Sequence, residues 1–139
     1  MKTVFLDTAF LVALINPNDQ LRSSALAALE DIDGVEWMTT DAVLTEVLNF
    51  YAERGTYLRQ AALGFIRALM DKDDVNLIYH GKYLFHLALE RFHDRQDKGY
   101  SLTDCMSMVV MENHGVQFVA TSDKHFRQAG FTLVMNDTP

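Results

Sequence analysis

Five short β-prone runs alternate along this chain with longer segments whose apolar residues recur at helical spacing, and that alternation limits the possible folds more than any other feature. The runs are Thr3 to Leu6, Trp37 to Thr40, Val75 to Tyr79, Gln117 to Thr121 and Phe131 to Met135. Between them, Leu21, Ala25, Ala28, Leu29 and Ile32 keep a helical period, as do Val43, Val47, Phe50 and Tyr51, then Leu63, Ile66 and Met70. Leu84, Leu87, Ala88 and Arg91 continue the series, followed by Leu102, Cys105, Met106 and Val109. Strands that alternate with helices imply an α/β fold with a mainly parallel sheet covered on both faces. With 139 residues and no repeat, low-complexity tract or linker-like stretch, one domain over 1–139 with one continuous core is expected.

Composition narrows the function. A hydrophobic content of 49% against 22% charged residues is that of an ordinary globular chain, and no apolar stretch approaches the roughly 20 residues of a membrane span. Lys2 precedes an apolar run that is interrupted by Asp7 and lacks a small-residue cleavage pattern, so the start does not read as a signal peptide and a cytoplasmic location is expected. Cys105 is alone, which excludes an intrachain disulfide. Twelve Lys and Arg against 19 Asp and Glu give a net charge of -7, which argues against a general nucleic-acid binder. An enzyme that meets phosphate through bound cations is not excluded, because those ions would be the largest local charges in its site.

In open parallel sheets ligands bind beyond the carboxyl ends of the strands, so acidic residues at strand exits and helix starts carry the functional question. Asp7 follows the first run, where it reads either as an N-cap for a helix starting near Thr8 or as part of a site. Asp41 reads as a cap. Ser101 and Asp104 fit a capping box, and Asp123 fits a cap for the helix that contains Phe126. Glu46 lies a full turn into its helix, beside Val47 and Leu48, where a surface ion pair is its plain structural explanation. A single cause covers Asp7, Glu46, Asp104 and Asp123 if they converge: carboxylates held close repel one another, and divalent cations relieve the repulsion. Oxygen ligands without clustered His or Cys favour Mg or Mn over Zn, and such a site suits phosphoryl chemistry.

The stretches "VFLDTAFLVAL", "TTDAVLTEVLNF", "YSLTDCMSMVVM" and "VATSDKHFRQAGF" together resemble the PIN-domain family, in particular its VapC-type toxin ribonucleases, over Val4 to Val134. The resemblance implies that Asp7, Glu46, Asp104 and Asp123 bind Mg or Mn and orient a water for attack on an RNA phosphodiester, leaving a 5′-phosphate and a 3′-hydroxyl. Thr8, Ser101, Thr103, Thr121 and Ser122 are candidates to hydrogen-bond those carboxylates. The resemblance further implies a five-stranded parallel sheet in a three-layer α/β/α sandwich, a homodimer and a cognate protein antitoxin.

Lys124, His125 and Arg127 follow Asp123 and are candidates to touch substrate phosphates; a solvated helix face explains them equally. His125 is also a candidate for acid or base work. Phe85, Phe92 and Tyr100 read as core, subunit contact or base-stacking residues, and His86 and His93 as surface. Met106, Met108 and Met111 lie on a segment that is apolar nearly all round, which suggests a central buried helix or a dimer face. The run "HDRQDKGYS" reads as an exposed loop. A haloacid-dehalogenase-like phosphatase needs a second acid two positions after Asp7, where Ala9 stands, and a receiver domain needs an acid after the third strand, where "VNLIYHG" supplies none. The remaining alternative to a nuclease is a non-catalytic PIN-type module that binds RNA or protein.

Overall fold

The computed structural model describes residues 2–135. Strands β1 (Thr3–Leu6), β2 (Glu36–Thr40), β3 (Val75–Ile78), β4 (Phe118–Ala120) and β5 (Thr132–Leu133) form one sheet in the order β3-β2-β1-β4-β5, every pairing parallel. The helices are α1 (Thr8–Ile15), α2 (Arg22–Asp31), α3 (Asp41–Tyr51), α4 (Thr56–Met70), α5 (Gly81–Asp94), α6 (Leu102–Asn113) and α7 (Lys124–Gln128), and they cover both sides of the sheet. The expected α/β/α sandwich on a five-stranded parallel sheet is therefore what forms. Parallel strands are buried on both faces and need unbroken apolar runs; Val4, Phe5 and Leu6 of the central strand supply one, each at most 3% exposed.

All five expected strands exist, β1 with the expected ends and β3 one residue short. β4 is shorter than the run Gln117 to Thr121 and β5 shorter than Phe131 to Met135, although the Gln117 carbonyl accepts from the Thr132 N–H and the Val134 N–H donates to the Val119 carbonyl, each at 3.0 Å. β2 begins one residue early, where the Glu36 N–H donates to the Lys2 carbonyl at 2.9 Å.

The acidic caps divide. Asp123 caps α7 through its carboxylate, and Ser101 with Asp104 closes a full capping box on α6. The capping role assigned to Asp41 is corrected: Thr40 is the N-cap of α3, its hydroxyl accepting from the Val43 N–H at 3.1 Å, and Asp41 is the first helical residue. The capping reading of Asp7 fails too, for Asp7 occupies the N-cap position of α1 yet its carboxylate makes no capping bond.

Helix α6 is the buried centre expected from its methionines. Every residue from Asp104 to Met111 is buried, with Met108 and Met111 fully so. It packs against α3, α5 and α7. The run "HDRQDKGYS" is only partly a loop: α5 continues to Asp94, a 3-10 turn spans Gln96–Lys98, and Gly99 turns the chain at φ 71. Tyr100 is buried, which removes it from the candidates for base stacking.

Candidate metal centre

The strand order reverses at β1. The chain adds β2 and β3 on one side, then returns to place β4 and β5 on the other, so the carboxyl ends of β1 and β4 border the crevice in which such sheets hold ligands. Helices in these connections run antiparallel to the strands, which brings the start of α6 to the same edge. Asp7, Asp104 and Asp123 arrive there from three separate elements.

Asp7 continues β1 by one ladder bond, its N–H donating to the Ala120 carbonyl at 3.2 Å. Its side chain is only 3% exposed. The Thr121 hydroxyl donates to Asp7 Oδ2 at 2.7 Å, and the same oxygen of Thr121 accepts from the Asp123 N–H at 3.0 Å. One hydroxyl thus ties the ends of the two central strands. Burial pushes the Asp7 carboxyl up to about 7, with the charges of Asp104 and Asp123 adding to the effect and the Thr121 hydroxyl and Thr8 backbone opposing it.

Asp104 sits on the first turn of α6. The Asp104 N–H donates to Ser101 Oγ at 3.0 Å, and Asp104 Oδ2 accepts from the Ser101 N–H at 3.2 Å. Burial raises its pKa, and the nearby Asp123 raises it further, against the Ser101 N–H and His125. Asp123 Oδ1 accepts from the His125 N–H at 2.9 Å. The His125 ring nitrogen Nδ1 lies 3.3 Å from both Asp104 Oδ2 and Asp123 Oδ1. Asp104, Asp123 and His125 therefore present ligand atoms that all lie within 4.8 Å of one another.

The charges of Asp104 and Asp123 raise the pKa of Asp7, and that of Asp123 raises the pKa of Asp104, so the group calls for positive charge. Two observations besides the donor set fit a hard divalent cation: the Asp7 carboxylate is buried without a cationic side chain in contact among the described residues, and the Thr8 hydroxyl beside it is buried with no hydrogen-bond partner. Asp104, Asp123 and His125 are the residues whose ligand atoms lie close enough together for one ion, and Asp7 borders them, its carboxyl feeling the charges of both aspartates.

The other expected residues separate clearly. Glu46 is half-buried on the second turn of α3, outside the group of three, and makes no side-chain hydrogen bond or ion pair among the described residues. Of the candidates to support the carboxylates, Thr121 does so by its hydroxyl and Ser101 and Thr8 by their backbone N–H groups, the Thr8 hydroxyl staying unpartnered, while no bond joins Thr103 or Ser122 to them among the described residues. Lys124 and Arg127 are exposed on α7. The ring of His125, a candidate both for phosphate contact and for acid or base work, lies against the carboxylates of Asp104 and Asp123; its position two residues after Asp123, in a helix that Asp123 caps, is the local signal for this. The Asp41 to His80 contact went unseen, because 39 residues separate the partners and no local pattern joins them.

The PIN domain family matches residues 4–132. Among solved structures, the chain is similar to the sarcin-ricin loop cleaving toxin VapC20 of Mycobacterium tuberculosis, with 26% identity over 96% of this chain and 99% of that one and a TM-score of 0.86. VapBC2 from Rickettsia felis, bound to a DNA fragment from its promoter, is 14% identical over 94% and 96% of the two chains at a TM-score of 0.68. FitAcB from Neisseria gonorrhoeae is 13% identical over 94% and 95% at 0.62. No curated protein sequence matches.

Proposed function

The chain belongs to the PIN-domain family, and from that premise we propose that it is a divalent-metal-dependent endoribonuclease, the toxin of a toxin-antitoxin pair. The observation that carries the reading is the convergence of Asp7, Asp104 and Asp123 at the carboxyl ends of β1 and β4. The similarity to a chain that cleaves the sarcin-ricin loop supports RNA as the substrate. No helix among the described residues is long and apolar enough to cross a membrane.

In this reading Asp7, Asp104, Asp123 and, from the second turn of α3, Glu46 hold Mg or Mn. When bound, such an ion supplies positive charge for the phosphodiester oxygens and acidifies a water. Thr121 fixes the rotamer of Asp7, and the Ser101 N–H fixes that of Asp104. His125 is positioned to take up or release a proton beside Asp104 and Asp123. Lys124 and Arg127 face solvent at the rim, where they meet phosphates on either side of the cut. Hydrolysis by water leaves a 5′-phosphate and a 3′-hydroxyl. The protein partner is an antitoxin, and the chain pairs as a homodimer.

The test is incubation of the purified protein with a panel of structured RNAs, a sarcin-ricin hairpin among them, with Mn, with Mg and with a chelator. Cleavage that requires the metal and disappears in Asp7→Asn supports the reading. A panel left intact under all conditions, by protein shown to be folded, overturns it.

A further inference from the structure

The metal centre uses the carboxyl ends of β1 and β4, but the ends of β2 and β3 on the same edge carry a second group of side chains. Thr40 pairs with Ile78 in register, so Asp41 leaves the sheet beside Tyr79 and His80. Asp41 Oδ1 accepts from the His80 backbone N–H at 3.0 Å and lies 2.8 Å from its Nδ1. A carboxylate acceptor places the ring proton on Nδ1 and leaves Nε2 as the open nitrogen. The imidazole is thus held in one orientation at the surface, 6.1 Å from the Phe85 ring.

Tyr79, 66% exposed, precedes it in the chain and Tyr83, 70% exposed, follows three residues later. Large aromatic rings this far into water, within a few residues of a fixed imidazole, mark a contact surface. Three observations say what it contacts. Lys82 lies between the tyrosines in the chain, and no acidic side chain occurs from Tyr79 to Leu89 although the whole chain carries -7, while the one acid in contact with the run, Asp41, is engaged by His80. The strands lie about 4.8 Å apart, so the end of β3 is roughly 10 Å from the end of β1 and Asp7, a distance that a short run of RNA bridges. Lastly, the exposed groups are rings with polar tips, which suit unpaired bases; a paired A-form helix keeps its bases stacked inward.

Resting on the nuclease reading above, we propose that Tyr79, His80, Lys82 and Tyr83 form a subsite that stacks and reads an unpaired nucleotide next to the scissile phosphate, with Asp41 fixing the His80 ring.

The experiment uses a fluorescent single-stranded oligoribonucleotide of mixed sequence and the full chain in an Asp7→Asn background with Mg, read by anisotropy. Tyr79→Ala with Tyr83→Ala is expected to weaken binding at least about tenfold, whereas Tyr79→Phe with Tyr83→Phe, which keeps both rings, retains most of it. In the cleaving protein the alanine pair raises KM more than it lowers kcat. Equal affinity of the alanine pair and its parent overturns the subsite, even if the pair has lost affinity for a protein partner. So does an equal loss with phenylalanine, or an equal loss on a fully paired duplex. The binding comparison does not depend on turnover: lack of cleavage by the unsubstituted chain counts against the nuclease reading, and unchanged RNA affinity counts against the subsite.

Discussion

Thr121 donates its hydroxyl to Asp7 at 2.7 Å across 114 residues of sequence. That bond sets the rotamer of a buried carboxylate from the far side of the sheet's switch point. It also binds the loop that carries Asp123, through the Asp123 N–H.

Thr121→Val keeps the shape and removes the donor. Loss of a hydrogen bond to a charged group costs about 1.5–3 kcal/mol at a pH where Asp7 is ionised, and loss of this kind of support lowers activity roughly 10- to 100-fold. Thr121→Ser restores most of both. Denaturant titration and cleavage rates on the two variants check this.

Asp7→Asn separates stability from function. Asn needs no counter-charge in a buried site next to Asp104 and Asp123, so the metal-free variant melts higher than its parent at pH 8 while RNA cleavage falls at least about a thousandfold. Calorimetry of chelator-treated protein and a gel assay measure the two halves.

The pH dependence follows from the raised pKa of Asp7. Below its ordinary value of 3.8 the carboxyl is protonated in both the folded and unfolded chain. Between there and about 7 the unfolded chain releases the proton and the folded one retains it. Stability of the metal-free protein therefore falls as pH rises through this window, by at most about 4 kcal/mol from this group, and levels off above it. Urea midpoints from pH 4 to 8 show the slope. Asp7→Asn flattens it, and added Mg or Mn opposes it at neutral pH by binding the ionised form.

Glu46→Gln tests the fourth acid. Glu46 makes no side-chain bond among the described residues, so the change leaves the melting temperature nearly where it was. Cleavage falls about a hundredfold or more if the carboxylate holds the metal, with partial recovery at high Mn. An unchanged rate removes Glu46 from the site.

Tyr51 offers a stability control away from the chemistry. Its buried hydroxyl donates to the Val12 carbonyl at 2.6 Å and links α3 to α1. Tyr51→Phe costs about 1 kcal/mol in chemical denaturation, with cleavage little changed.

Much of the fold was legible because its signals are local. The apolar runs from Val4 to Leu6 and from Trp37 to Thr40 needed only their neighbours to read as strands, and the capping box of Ser101 and Asp104 is a four-residue pattern. Strand ends were less legible, since Thr121 leaves β4 to serve Asp7, a residue invisible from its own neighbourhood. Three of the four acids came together as the chain's order along the strands implied. The side-chain details did not follow from order alone: Asp41 looked like a cap until Thr40 took that role, leaving its carboxylate to His80, and the His125 ring turned toward Asp104, 21 residues away.

Asp104 opens a helix whose next seven residues are all buried. That buried helix body fixes the backbone from which the Asp104 carboxylate projects. In the proposed nuclease, an inhibitor would therefore act on the carboxylates at the surface of the site, leaving the seating of α6 as it is.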